Sequence, residues 1–118
     1  NISGLTPLHY AVKAEDQDAV KTLLEIGADI NCRDVNNNTP LHFAVFNRDI
    51  MERLLNAGAD ANAANDFRET ALHLAVKAGL TEQVRMLLEN GADKTLRDQW
   101  HKIPADYAVS MEIRQILQ

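Results

Sequence analysis

Apolar residues recur along this chain at helical spacing in three places. Val20, Leu23 and Leu24, then Met51, Leu54 and Leu55, then Val84, Leu87 and Leu88 each mark one face of an amphipathic helix, over residues 18–26, 49–57 and 81–90. A shorter apolar stretch precedes each, opened by Thr6, Thr39 or Thr70, a residue type whose hydroxyl caps helix N-termini. Pro7 and Pro40 follow at the first helical position, where a missing N–H costs nothing. Ala11, Ala44 and Ala75 keep the short helices small-sided. Gly27, Gly58 and Gly91 stand where a left-handed residue ends the longer helices. From each glycine to the next motif the chain is polar and rich in Asn and Asp, which suits a turn. The predicted unit is helix, turn, helix, hairpin. Its one apolar face has no cover of its own.

The unit repeats in a single phase. Thr6, Thr39, Thr70 and Ile103 stand 33, 31 and 33 residues apart, and each Gly-Ala-Asp glycine lies 12 residues before the next of them. The motifs Leu5-Thr6-Pro7-Leu8-His9-Tyr10-Ala11, Asn38-Thr39-Pro40-Leu41-His42-Phe43-Ala44 and Glu69-Thr70-Ala71-Leu72-His73-Leu74-Ala75 align, with a worn fourth at Lys102-Ile103-Pro104-Ala105-Asp106-Tyr107-Ala108. In period and motif the chain resembles the ankyrin repeat family. The resemblance covers essentially all of residues 1–118 as one domain, in repeats of about 1–33, 34–64, 65–97 and a shortened 98–118. It implies a mainly α fold, a curved solenoid of stacked helix-turn-helix units with β-hairpin or turn tips on one side and a concave groove.

The stacking core expected from this alignment is Leu8, Ala11, Val12, Val20, Leu23, Leu24, Leu41, Ala44, Val45, Leu54, Leu55, Leu72, Ala75, Val76, Val84, Leu87, Leu88, Ile116 and Leu117. Departures from the family pattern carry expectations too. Repeat 2 is two residues short between Ala44 and Leu54, so the turn Phe46-Asn47-Arg48-Asp49 is tight or the helix ends fray. Gly79 occupies the corresponding turn of repeat 3, and Glu15 that of repeat 1. At the tips, glycine is kept at Gly4 and replaced by Asn37, Arg68 and His101, of which Arg68 is the costly one if the backbone keeps positive φ. The charged, narrow-striped segment 112–118 reads as a C-terminal cap. Repeat 1 has the pattern of an internal unit, so a further repeat or another covering element is expected before Asn1, in a longer polypeptide.

Composition narrows the function. The chain is 46% hydrophobic and 25% charged, ordinary for a globular domain, and its net charge is −5. An acidic balance with Lys and Arg scattered disfavours nucleic acid and anionic membranes as partners. No apolar run reaches the roughly 18 residues of a membrane span, and the N-terminal residues lack a signal pattern. Cys32 is the only cysteine, which fits a reducing compartment, cytoplasm or nucleus.

Catalytic constellations are absent: no phosphate loop, no GxGxxG, no HExxH, no CxxC. Nothing in the sequence places a base against Cys32, which reads as a tolerated small residue. His9, His42 and His73 occupy one position in successive repeats, on helices roughly 8–10 Å apart. A zinc ion needs ligand nitrogens within about 3.5 Å of one another, so no metal is expected there. The resemblance implies that these histidines hydrogen-bond neighbouring backbone. The carboxylates are dispersed without an apolar pocket to tune them. The expectation is a non-enzyme with no cofactor.

What remains is binding. The leading reading is a protein–protein interaction module, monomeric as an isolated domain, that holds another protein or a peptide by its hairpin tips and groove. The alternatives are a regulatory or targeting segment of a larger enzyme whose catalytic domain lies elsewhere, and a structural spacer. The variable tip pairs are Ile2-Ser3, Val35-Asn36, Asp66-Phe67 and Gln99-Trp100, so Phe67 and Trp100 fill one slot in adjacent repeats. The expected contact set is Val35, Asn36, Asp66, Phe67, Arg68, Gln99, Trp100 and Lys102, extended by Phe46, with Arg33, Arg97 and Glu69 completing a polar rim. The competing reading folds Trp100 over the short fourth repeat and Phe67 over its own hairpin. By the resemblance, Asn31 and Asn62 match the spacing used by an asparaginyl hydroxylase of the oxygen-sensing pathway. Otherwise they support their hairpins by bonding their own backbone.

Overall fold

Eight short helices follow one another in a computed structural model that describes residues 4–118. They are α1 (Pro7–Lys13), α2 (Gln17–Glu25), α3 (Pro40–Ala44), α4 (Arg48–Asn56), α5 (Ala71–Lys77), α6 (Thr81–Glu89), a 3₁₀ helix (Pro104–Tyr107) and α7 (Met111–Ile116). Thr6, Thr39 and Thr70 are the N-caps of α1, α3 and α5 in extended backbone, with proline at the first position of α1 and α3. Asp16, Asn47 and Ser110 cap α2, α4 and α7 through their side chains. Gly27, Gly58 and Gly91 all have positive φ just past the outer helices.

The short helices α1, α3, α5 and the 3₁₀ helix pack in series as an inner row, with α2, α4, α6 and α7 behind them. The array measures 40 × 26 × 20 Å. Among the described residues no β-strand forms, so the tips are turns rather than paired hairpins. The Ile2-Ser3 tip lies outside the described residues.

The two residues missing from repeat 2 come out of the inner helix. Helix α3 has five residues where α1 and α5 have seven. In repeats 1 and 3 the inner helix closes with a paired cap: Asp16 N donates to Ala11 O and Glu15 N to Val12 O, as Leu80 N does to Ala75 O and Gly79 N to Val76 O. Both caps need positive φ, at Glu15 (56°) and Gly79 (69°). Repeat 2 closes instead with one bond, Asn47 N to Ala44 O, and no residue there has positive φ.

The core runs the length of the stack. Leu8, Val12, Val20, Leu41, Val45, Leu54, Leu72, Val76, Val84 and Leu87 are at most 2% exposed, and Leu55 and Leu117 are also buried. Four expected core residues are only partly buried: Leu23, Leu24, Leu88 and Ile116. Leu23 and Leu24 lie on α2 at one end of the described stack and Ile116 on α7 at the other, whereas Leu88 lies on α6, which packs between α4 and α7. Ile50, Met51 and Ile113 are fully buried and were not in the expected set. Ile113 takes the central place on α7 that the alignment gave to Ile116.

Candidate partner-binding groove

The tips are built by carboxamide and carboxylate side chains that stand in for backbone. Asp34 Oδ1 accepts from Asn36 N and Asn38 N, Asn65 Oδ1 from Phe67 N and Glu69 N, and Asp98 Oδ1 from Trp100 N and Lys102 N. Each turn closes through positive φ at the former glycine slot: Asn37 at 62°, Arg68 at 58° and His101 at 65°. Gly4 has φ of 70°, and here glycine is required, since a Cβ would lie 2.7 Å from Val35 N. Adjacent tips are stitched together, with Asp66 N donating to Asn36 O and Gln99 N to Phe67 O.

The histidine column fixes the tips to the inner helices. Thr6, Thr39 and Thr70 each donate a backbone N–H to Nδ1 of the histidine three residues on, at 3.0–3.3 Å. Because Nδ1 accepts, the ring proton sits on Nε2, which donates to the next repeat: His9 to Asn38 O, His42 to Glu69 O and His73 to Lys102 O, at 2.8–2.9 Å. Both ring nitrogens are therefore engaged, leaving no lone pair for a metal. Burial holds the His42 pKa below its ordinary value, more strongly than the Glu69 carbonyl raises it. Among the described residues no three metal-ligating side chains gather.

Cys32 departs from expectation. Its Sγ lies 3.1 Å from Thr6 Oγ1 and 3.7 Å from His9 Nδ1, so a base does stand near it. That nitrogen already accepts the Thr6 N–H, and burial pushes the thiol pKa up. The thiol stays protonated at neutral pH and is not an activated nucleophile.

Of the expected contact residues, Val35, Phe67 and Trp100 expose large apolar side chains at the tips, Trp100 at 57%. Asn36, Asp66, Arg68, Gln99 and Lys102 are exposed beside them. Asp66 also accepts a bond from Asn37 Nδ2 across the repeats. Arg33 and Arg97 hold the tips themselves: Arg33 Nη1 donates to Asn37 O and Ala64 O, and Arg97 Nη1 to His101 O. Phe46 is exposed but stands in the α3–α4 turn, at the far end of α3 from the tips.

A second row was not anticipated. Tyr10, Phe43 and Leu74 occupy the variable position between histidine and alanine in the inner-helix motif, and Tyr107 the same position in repeat 4, where Asp106 stands in the histidine slot. Tyr10 is exposed and the other three are half-buried beside the tips. Lys13 Nζ lies 5.3 Å from the Phe43 ring centre. Lys77 Nζ lies 4.5 Å from that of Tyr107 and 5.7 Å from that of Trp100, and pairs with Glu69 Oε2 at 2.7 Å. Lys77, Trp100, Lys102 and Tyr107 line a shallow cup of about 370 Å³. The signal in the sequence was the aromatic preference at one variable position.

Beneath the cup, Asp98 is fully buried, and its Oδ2 accepts the Tyr107 hydroxyl. Burial acts to raise the Asp98 pKa, but the bonds from Tyr107, Lys102 N and Trp100 N together hold it below the usual value. The same bond, aided by burial, pushes Tyr107 up to about 12. A larger cavity of about 640 Å³ opens between α2 and α4, lined by Gln17, Lys21, Glu25, Asp49, Glu52 and Arg53 among others. It is charged in both signs and remote from the tips.

Asn31 and Asn62 lie in the turns at the other end of the loop. Asn31 Oδ1 accepts from Asp60 N, and Asn62 Oδ1 from Asp93 N, while Asn62 Nδ2 donates to Gly91 O. Their side chains thus bond the next repeat rather than their own turn.

Helix-turn-helix units stacked through a shared core, with projecting tips, define a repeat solenoid. The chain belongs to the ankyrin repeat family, whose description "Ankyrin repeats (3 copies)" matches residues 1–34 and 8–98. Human B-cell lymphoma 3 protein is 40% identical over 121 residues, covering all of this chain. An ankyrin repeat protein of fowlpox virus is 60% identical over 42 residues, 36% of this chain, and bovine protein fem-1 homolog A is 45% identical over 58 residues, 38% of it. This chain spans 27%, 22% and 9% of those relatives' lengths, respectively. Repeats of this family are in general protein-binding, non-catalytic modules. No described helix is long and apolar enough to cross a membrane.

Proposed function

We propose that residues 1–118 form one interaction domain of a longer protein, and that it holds another protein or a peptide along the tips and groove of repeats 2–4. It acts as a monomeric, non-catalytic binder of protein rather than nucleic acid, in the cytoplasm or nucleus, where a lone cysteine stays reduced. The observation that carries this reading is the exposure of Val35, Phe67 and Trp100 on tips whose backbone is already held by Asx turns and inter-repeat bonds. Large apolar side chains on rigid supports present contact area at little entropic cost. Arg68, Gln99, Asp66 and Lys102 surround them as the polar rim, with Asn36 beside Val35. Trp100 leans toward Lys77 yet remains more than half exposed, which favours an anchor over a lid. Asn31 and Asn62, on the opposite turns, are proposed as hydroxylation sites outside this surface.

A photo-crosslinking amino acid tests the reading. Placed at Phe67 it should yield a defined heterologous adduct in cells, and placed at exposed Glu82 on α6 it should not. Equal labelling from both positions would remove the tips from the site.

A further inference from the structure

We propose that the cup of Lys77, Trp100, Lys102 and Tyr107 takes an acidic side chain of an extended partner segment, with an apolar neighbour of that side chain lying against Trp100. This rests on the partner-binding reading above and adds the partner's chemistry.

Two ammonium groups converge on one ring, since Lys102 Nζ lies 5.5 Å from the Tyr107 centre and Lys77 Nζ 4.5 Å from it. Only one carboxylate answers them. Glu69 pairs with Lys77, whereas no described carboxylate is within ion-pair distance of Lys102. Asp98 does not face the cup as an acceptor, because its oxygens are taken by Trp100 N, Lys102 N and the Tyr107 hydroxyl. Lys102 therefore lacks a direct ion-pair partner and stands beside an exposed indole, above an Asp98 carboxylate whose oxygens are already hydrogen-bonded.

Charge is also segregated along the chain. The tip and inner-helix segments, residues 4–13, 33–44, 64–77 and 97–107, hold six basic and five acidic residues, and the rest of the chain holds six basic and twelve acidic. An acidic segment is disfavoured over the rest of the chain and better tolerated along this face. Tip backbone groups are already bonded between repeats, so the partner is read by side chains rather than by strand addition. A polyanion such as single-stranded nucleic acid could also use lysines and an indole, but Glu69 beside Lys77 and the acidic remainder oppose a long run of phosphates.

Trp100 is the only tryptophan, so its fluorescence reports the cup directly. The experiment selects random 12-residue peptides on the full chain and titrates the winners, and a single-stranded dT oligonucleotide, by Trp100 emission. The proposal expects winners with Asp or Glu next to an apolar residue. Replacing that acid by its amide, or Lys102→Gln, weakens binding by about threefold to tenfold, and combining both adds little to either alone. Lys102→Gln leaves intact the backbone carbonyl that His73 uses, so melting temperature checks that the fold is unchanged. Winners that move Trp100 emission without an acidic residue, or without sensitivity to Lys102→Gln, overturn the acidic preference and leave the groove as the site. Tighter binding of the oligonucleotide than of any peptide overturns it in favour of nucleic acid. If no peptide perturbs Trp100, both this inference and the groove reading fall.

Discussion

Asp98 is ionised inside the protein at neutral pH, and its two oxygens organise the whole tip that carries Trp100. Its pKa is depressed in the folded state, so its contribution to stability is present above the unfolded value of about 3.9 and is lost as pH falls through the folded one. Tyr107, raised to about 12, contributes fully below its unfolded value of about 10 and loses that contribution as pH rises toward 12. Tyr107→Phe should lower the melting temperature at pH 7 and flatten its acid limb below the ordinary carboxylate range, as a thermal melt series will record. An unchanged acid limb would mean that the bond contributes nothing. His42 has a folded pKa below 6.5, so stability is complete above that value and falls as pH drops through it; its imidazole NMR titration should show a midpoint under 6.5. At Gly4, alanine meets both a left-handed φ and the Val35 backbone, and Gly4→Ala should cost about 1–2 kcal/mol. The other turn glycines of the outer helices have nothing within 4 Å of a Cβ, so only the strain of positive φ applies there.

Helices and caps were legible in the sequence because their code is local: a threonine, a proline and apolar residues three and four apart act within one turn of chain. The depth of each leucine was not, because it depends on which neighbours stack above and below. Leu55 on α4 is buried between repeats 1 and 3, whereas its counterpart Leu24 on α2 is only partly covered. Leu55→Ala should therefore cost about 2–5 kcal/mol, and Leu24→Ala distinctly less, in urea unfolding of the purified chain. Equal losses would contradict this order of packing. The two-residue gap in repeat 2 could be placed between Ala44 and Leu54 from spacing alone. That it shortens α3 and replaces a paired cap with a single bond followed only from the backbone.

The whole molecule is a stack whose repeats are joined by non-local bonds: histidine to carbonyl, asparagine to amide, tip to tip. Those partners are about 30 residues apart in the chain, which is why the sequence alone pointed to the tip residues but not to the aromatic row of Tyr10, Phe43, Leu74 and Tyr107 beside them. It also missed Lys77, whose charge lies between the two rows at Trp100 and Tyr107. Tip and row together form one surface on a frame held by its own inter-repeat hydrogen bonds, so recognition and folding should be separable. The most direct measurement compares Trp100→Ala with the unchanged chain for both partner affinity and melting temperature. Affinity should fall by more than about tenfold, the loss typical of a hot-spot tryptophan, while the melting temperature barely moves. A large fall in melting temperature with affinity intact would make Trp100 a lid on the fourth repeat and contradict the assignment of this surface.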